Sequence, residues 1–162
     1  MNISRLQSFH KKDQFECEEA SLSHYLKTQA SQDIRKKLAL CFVATNAMDQ
    51  VMGYYTLSAQ SLSRSVIPEK HRKKVPNNYH VPLILLGRLA RDIMYKGQGI
   101  GELLLIDALL RSFKISQKEL GAMAVVVDPI NNYARSFYGS FGFIPLDGTQ
   151  KMFLPMNTIK KM

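Results

Sequence analysis

Cysteine is nearly absent from this chain: Cys17 and Cys41 are the only two in 162 residues. A multi-bridge disulfide scaffold is therefore excluded; one disulfide is arithmetically possible, but two reduced, mostly structural thiols are expected, with Cys41 buried where it opens an apolar strand. Uninterrupted apolar stretches are also short. None approaches the roughly 20 residues that span a bilayer, so no membrane partner is expected. Met1 to Lys12 contains no apolar core of a signal peptide, and a cytoplasmic protein is expected. No internal repeat and no Gly/Ser-rich or Pro-rich linker divides the chain. The histidines, His10, His24, His71 and His80, stand in no H-x-x-x-H or C-x-x-C context, so metal is not expected. Neither cysteine lies in a nucleophile motif.

What is present reads as one folded body. A length of 162 residues suits a single domain over 1–162. The apolar share of 46% and charged share of 22% are ordinary for a globular protein and argue against disorder. Charge is the unusual quantity: 22 basic against 13 acidic residues leave +9. Residues 1–80 hold 12 basic and 7 acidic side chains, and 81–162 hold 10 and 6, so the excess belongs to the body and not to a tail. Such a balance attracts polyanions, whether nucleic acid or a multiply phosphorylated cofactor. Plain solubility is the competing reading.

The pattern of the chain is α/β with a mixed sheet. Residues 2–9 are a candidate opening strand. Residues 18–39 are helical, with Leu22, Tyr25, Leu26 and Ala30 on one stripe and a break expected at Ser31 and Asp33. Residues 40–45 and 51–59 read as an antiparallel hairpin. A long connection, 60–80, carries the dense basic run Lys70, His71, Arg72, Lys73 and Lys74. Residues 81–89 read as a buried strand. Residues 102–113 form a helix apolar almost all round, expected to lie deep against the sheet. Residues 122–127 read as a buried strand parallel to 81–89 through a right-handed crossover. Residues 131–140 form a last helix closed by Gly142, and 151–156 a final strand.

The informative segment is Lys96-Gly97-Gln98-Gly99-Ile100-Gly101, between a buried strand and a buried helix. Glycines let the backbone turn sharply and approach a ligand, and free amides at a helix start favour phosphate. It is not a Walker loop, since no glycine precedes a Lys-Ser/Thr pair at the required spacing. It is not G-x-G-x-x-G either: counted from Gly97 the last position is Glu102, and from Gly99 it is Leu104. A tight strand–helix turn without a ligand is the bland alternative.

Lys96 to Gly101 followed by an apolar helix resembles the pyrophosphate loop of the GNAT N-acetyltransferases, with Lys96 where the family usually has Arg or Gln. Other segments agree in order: Gly53 to Leu57, Leu86 to Ala90, Ala124 to Val127 and Ala134 to Phe143. With Phe15-Glu16-Cys17 and Phe153 to Met156, they resemble one branch, the acetyltransferase toxins of bacterial toxin–antitoxin modules, which acetylate aminoacyl-tRNA. The resemblance implies the GNAT fold: a mixed, twisted sheet with helices on both faces and a central parallel strand pair splayed around acetyl-CoA. It implies that backbone amides around Leu89 and Arg91 serve the pantetheine arm and the acetyl oxygen, and that Lys96, Gly97, Gln98, Gly99, Ile100 and Gly101 hold the diphosphate. Asn132 either touches the cofactor or caps its helix. A cognate antitoxin, typically ribbon-helix-helix, and a homodimer are also implied.

Tyr138 is the candidate catalytic acid, matching the family's Phe-Tyr-x-x-x-Gly-Phe context. The alternative is that it only packs with Phe137, Phe141 and Phe143; Tyr133 is a nearby competitor. A phenol, with a reference pKa near ~10, can support a departing thiolate whose conjugate acid lies near ~8.5. No strong base is evident, since Asp92 and Glu102 read as solvated or as balancing a helix dipole. An α-amino group, near ~8 and lower beside an ester, needs less help than a lysine near ~10.4, which favours aminoacyl-tRNA. Candidate nucleic-acid contacts are Lys27, Arg35, Lys36 and Lys37 on or after the first helices, Lys70, Arg72, Lys73 and Lys74 in the long connection, and Arg88 nearer the reacting end. Two other functions remain open: acetylation of a small polyamine or a protein N-terminus, and a non-enzymatic RNA- or partner-binding module.

Overall fold

A computed structural model describes residues 1–162. In chain order the elements are β1 (Asn2–Arg5), α1 (Ala20–Thr28), α2 (Ala30–Arg35), β2 (Leu40–Thr45), β3 (Val51–Ser63), a short α3 (Glu69–Arg72) and β4 (His80–Arg91). There follow α4 (Ile100–Lys118), β5 (Ala124–Val127), α5 (Asn132–Ser140), β6 (Ile144–Pro145), β7 (Met152–Pro155) and α6 (Met156–Lys160). The seven strands make one mixed sheet in the order β1-β2-β3-β4-β5-β7-β6. Two compact units share β3, β4 and α4: Met1–Ser58 with Leu86–Ala108, and Ala59–Leu85 with Leu109–Met162. No helix is long and apolar enough to cross a membrane.

In the first unit β1, β2 and β3 form an antiparallel meander, with Ser4 opposite Val43 and Val43 opposite Tyr54. Val51 to Leu57 are all buried, so this half of β3 is covered on both faces. The core gathers Phe15, Tyr25, Leu26, Val43, Tyr54 and Ala90. Phe15 meets Tyr54 edge-on at 5.7 Å, and Tyr25 stacks on Tyr54 at 6.2 Å. The Tyr54 hydroxyl donates to the Leu22 carbonyl at 2.7 Å, which ties α1 to β3.

In the second unit β4 pairs parallel with β5 from Leu83 to Leu85, and β5 continues antiparallel to β7 and β7 to β6. The parallel pairing expected from the strand–turn–helix–strand order is therefore present. Ile67, Val81, Leu83, Ala124, Val126, Leu146 and Phe153 form its core.

Several boundaries differ from the sequence reading. The helical pair breaks at Gln29, whose N–H closes α1 on the Tyr25 carbonyl at 2.8 Å, and not at Ser31 or Asp33. Asp33 is taken up as an acceptor instead, from the Tyr25 hydroxyl at 2.7 Å and from Gln29 at 3.1 Å. Strand β3 runs four residues past Ala59, and the connection after it contains a 3-10 turn (Arg64–Val66) and α3. The helix after the glycine turn, expected to lie deep against the sheet, does so on one side only. Leu104, Leu105, Ala108 and Leu109 are buried, but Leu103, Ile106 and Leu110 are 44%, 38% and 48% exposed. A 3.6-residue period turns those three to the uncovered side, forgoing part of the ~1.5–3 kcal/mol that full burial of each would contribute. Cys17 and Cys41 are buried free thiols, as expected.

Candidate active site

The glycine turn is positioned from three sides. First, Asp92 is buried, and its carboxylate accepts from the amides of Met94 at 2.8 Å and Glu16 at 3.1 Å. It fixes the 3-10 turn Ile93–Tyr95 that leads into Lys96. The reading of Asp92 as a solvated carboxylate is thereby corrected: its two oxygens are held by backbone amides, one two residues on and one near the start of the chain.

Second, Gly53 on β3 admits the start of α4. A Cβ there would lie 2.7 Å from Leu104 Cδ1, 2.9 Å from the Ala90 carbonyl oxygen and 3.2 Å from Ile100 Cγ2. Third, Ile100 is buried, while Lys96, Gly97, Gln98 and Gly99 are exposed. The helix is anchored and the turn before it faces solvent.

Gly97 and Gly99 have φ of +80° and +75°, the left-handed region that side chains disfavour. A Cβ at Gly97 would meet nothing within 4 Å. Conformation, not crowding, calls for glycine there, and the space above the turn is open. The first helical bond runs from Leu103 N to Gly99 O at 3.1 Å. The amides of Ile100, Gly101 and Glu102 therefore have no helical acceptor and stand at the positive end of a 19-residue helix. An open left-handed turn, outward amides and the exposed Lys96 ammonium fit a diphosphate.

Strand β4 presents a second set of amides. Asp92 N donates to Met52 O at 2.8 Å, so β3 lies on that side. The two-residue alternation turns the N–H groups of Leu89 and Arg91 to the opposite edge. The pairing of β4 with β5 covers only Leu83 to Leu85, and β4 continues to Arg91. The Arg91 side chain is engaged by Glu18 Oε1 and the Asp92 carbonyl, both at 3.3 Å. Its backbone is the part left for a ligand.

Tyr138 lies on α5 in the second unit. The helix is capped by Asn131, whose Oδ1 accepts from Ala134 N at 2.8 Å. Capping thus falls to Asn131, and Asn132 is an exposed first residue. The Tyr138 ring packs against Phe137 at 5.5 Å and Phe143 at 5.4 Å, and Phe137 also meets Phe141 at 5.4 Å. Gly142, at φ +96°, turns the chain so that Phe143 N returns to Tyr138 O at 3.2 Å. Tyr138 is 8% exposed, and burial pushes its phenol well above the ordinary tyrosine range. Burial in this aromatic setting keeps the proton on the phenolic oxygen. Tyr133, 80% exposed, has no comparable setting.

The cationic candidates divide by partner. Lys27 pairs with Glu16 at 2.9 Å. Arg72 pairs with Asp147 at 3.2 Å and donates to the carbonyls of Ile67 and Ser65, so it braces the connection it sits in. The Arg88 guanidinium lies over Tyr25. Arg35, Lys36, Lys37, Lys70, Lys73 and Lys74 are exposed. Sequence reasoning passed over Arg64, which lies outside the basic run. Its Nε and Nη2 hold the carbonyls of Val75 and Arg72 at 2.7 and 3.1 Å. No sequence signal marks such a non-local bracket.

A mixed sheet whose one short parallel pair is joined through a glycine turn and a long helix has the architecture of the GNAT class. No family model matches the chain. It is 35% identical over 129 residues to a tRNA-acetylating toxin of Mycobacterium tuberculosis, covering 80% of this chain and 75% of that protein. The solved structure of AtaT complexed with acetyl-methionyl-tRNAfMet superposes with a TM-score of 0.91 at 30% identity, covering 99% of this chain and 97% of that one. A mutant AtaT toxin bound to the C-terminus of the antitoxin AtaR and acetyl-CoA gives 0.84 at 28% identity, over 99% and 96%. The chain belongs to the GNAT N-acetyltransferase toxins of toxin–antitoxin modules, the tRNA-acetylating branch.

Proposed function

We propose that this chain transfers the acetyl group of acetyl-CoA to the α-amino group of aminoacyl-tRNA and so blocks translation. The observation that carries this is the likeness to a tRNA-acetylating toxin across 80% of the chain, joined to the open glycine turn at the start of α4. All 162 residues act as one acetyltransferase domain, a reading supported by solved neighbours that cover 99% of the chain. When bound, acetyl-CoA supplies an activated thioester. The turn from Lys96 to Gly101 binds its diphosphate through backbone amides, with Lys96 adding a point charge in place of a fork. The amides of Leu89 and Arg91 orient the pantetheine arm and polarise the acetyl oxygen. Asn132, exposed beside the cap, touches the cofactor.

Tyr138 holds a proton at its hydroxyl and offers it to the departing sulfur. With the phenol pushed above its usual range, full transfer runs uphill, and donation of a hydrogen bond is the larger part of its help. An α-amino group starts near ~8 and an adjacent ester lowers it, so a useful share is neutral near pH 7 without a general base; as the C–N bond forms and the C–S bond breaks, the surplus proton on nitrogen passes to solvent. Lys27, Arg35, Lys36, Lys37, Lys70, Arg72, Lys73, Lys74 and Arg88 form the polyanion-facing set, Lys27 and Arg72 with their charge partly offset. The chain works in the cytoplasm as a homodimer and is neutralised by a cognate ribbon-helix-helix antitoxin.

The test is mass spectrometry of charged tRNA after incubation with the enzyme and acetyl-CoA. An added acetyl group on the esterified amino acid is expected. Label on a polyamine or protein N-terminus, with none on charged tRNA, overturns the reading.

A further inference from the structure

A polar cavity of about 380 Å³ lies where β3 gives way to the connection leading into β4. Arg64 lines it, with two of its nitrogens pinned to the carbonyls of Val75 and Arg72. No carboxylate lies within ion-pairing distance of Arg64, whereas its neighbour Arg72 is matched by Asp147. Asn77, Asn78, Tyr79 and His80 also line the cavity, with Ser63, Ser65 and Arg72. The bond from Tyr79 N to Pro76 O, at 3.1 Å, closes a turn that carries both asparagines at its tip. Residues 59–85 contain five basic side chains (Arg64, Lys70, Arg72, Lys73, Lys74) against one acidic, Glu69.

A half-buried guanidinium without a counter-ion has lost solvation and gained no charge partner, so an anion entering the cavity meets a cation already held in place. A carboxylate would use the Arg64 fork alone. The asparagine amides and the histidine ring add donors around a tetrahedral group with several oxygens. Tyr79 is 60% exposed, an aromatic face left in water beside this anion site. Phosphate next to a flat apolar surface is the repeating chemistry of a nucleic-acid strand, which presents a phosphate and then a base.

We propose that this cavity is an RNA subsite: Arg64, Asn77, Asn78 and His80 hold one backbone phosphate of the tRNA, and Tyr79 stacks a flanking base. The proposal rests on the aminoacyl-tRNA reading and adds a contact to the nucleic acid itself, independent of the amino acid it carries.

Binding of uncharged tRNA, measured by fluorescence anisotropy across a salt series, tests it. Tyr79→Ala is expected to weaken binding about tenfold and Tyr79→Phe less than twofold, since stacking needs the ring and not the hydroxyl. Asn78→Asp is expected to weaken binding by a similar factor, while Gln117→Glu, an equal charge change on an exposed residue at the end of α4, leaves it within twofold. Arg64→Gln is expected to lower the slope of log affinity against log salt by about one. In turnover assays, KM for charged tRNA rises with the Tyr79→Ala and Asn78→Asp variants, while KM for acetyl-CoA and the rate with a simple aminoacyl ethyl ester stay unchanged. Should Arg64→Gln melt early, the two exposed positions decide. Affinities within twofold of the parent for both Tyr79→Ala and Asn78→Asp overturn the proposal. A parent protein that binds tRNA but does not acetylate it overturns the functional reading instead, and the anisotropy series still decides the cavity.

Discussion

The guanidinium carbon of Arg88 sits 3.6 Å from the centroid of the Tyr25 ring. Tyr25 in turn donates to Asp33 at 2.7 Å, and Gln29 donates to the other carboxylate oxygen at 3.1 Å. Those two hydrogen bonds, with Arg88 and Lys36 nearby, hold the Asp33 carboxyl below the usual carboxylate range. The arrangement keeps a cation over an aromatic face in the first unit. Tyr25→Phe should retain most of the stacking and lose only the bond to Asp33, at a cost of ~1 kcal/mol. Tyr25→Leu should lose both, along with ring packing on Tyr54, for about 2–4 kcal/mol. Urea unfolding of the two variants checks this; equal losses would remove the stacking from the account.

Tyr138→Phe keeps the ring contacts with Phe137 and Phe143 and removes only the hydroxyl. Turnover of charged tRNA should fall on the order of 10²-fold or more, while the melting temperature and the affinity for acetyl-CoA stay near the parent values. Because burial raises the phenol, no loss of rate from Tyr138 ionisation is expected below pH 10. A pH–rate profile showing such a limb near neutrality would contradict the assignment.

The glycines of the first unit separate two physical requirements. Gly97→Ala puts a side chain into open space at φ +80°. It should cost ~1–2 kcal/mol of local strain, read as roughly five- to thirtyfold weaker acetyl-CoA binding by calorimetry. Gly53→Ala places a methyl 2.9 Å from a backbone oxygen and 2.7 Å from Leu104. Its loss should appear in global stability, about 1–3 kcal/mol, because α4 must move away. A Gly53→Ala protein as stable as the parent would show that the helix start yields freely.

His71 on α3 meets Phe153 edge-on at 5.4 Å. Burial, then Lys74 and Lys70, hold its pKa below the ordinary value of 6.5. The unfolded chain therefore binds more protons than the folded one between the two pKa values, and stability rises with pH across that window. Stability should be fully present above pH 6.5 and decline as the solution is acidified through the lowered folded value. Thermal melts of the parent and His71→Gln between pH 7.5 and 5 check this. The variant should show the smaller acid loss, and parallel curves would assign the pH response elsewhere.

Much of the architecture could be read before the structure, and the legible parts share a cause. The strands at 40–45 and 122–127 (the second starting two residues later, at Ala124), the parallel crossover, and the sharp turn at Gly97 and Gly99 all follow from local periodicity or from one residue's backbone freedom. The one-sided cover of α4 has the opposite cause. Leu103, Ile106 and Leu110 are as apolar as their buried neighbours, and nothing within the helix says which side the sheet will cover. Asp92 and Arg72 were read by residue type, as solvated or nucleic-acid-facing charges. Their partners, Glu16 at one end of the chain and Asp147 at the other, lie 76 and 75 positions away. Arg64 carried no local signal, and the apolar stripe that held Tyr25 gave no sign of its partners Asp33 and Arg88.

By itself, then, the order of residues determined the element types, the anion-friendly turn and the phenol in its aromatic frame, because each depends on neighbours within about one turn of chain. Tertiary structure alone decided which charges remain available and which brace the backbone, which face of α4 meets solvent, and why position 53 has no side chain. Those outcomes depend on atoms brought together across the sheet, where a contact of about 3 Å carries no trace in the spacing of the residues that make it.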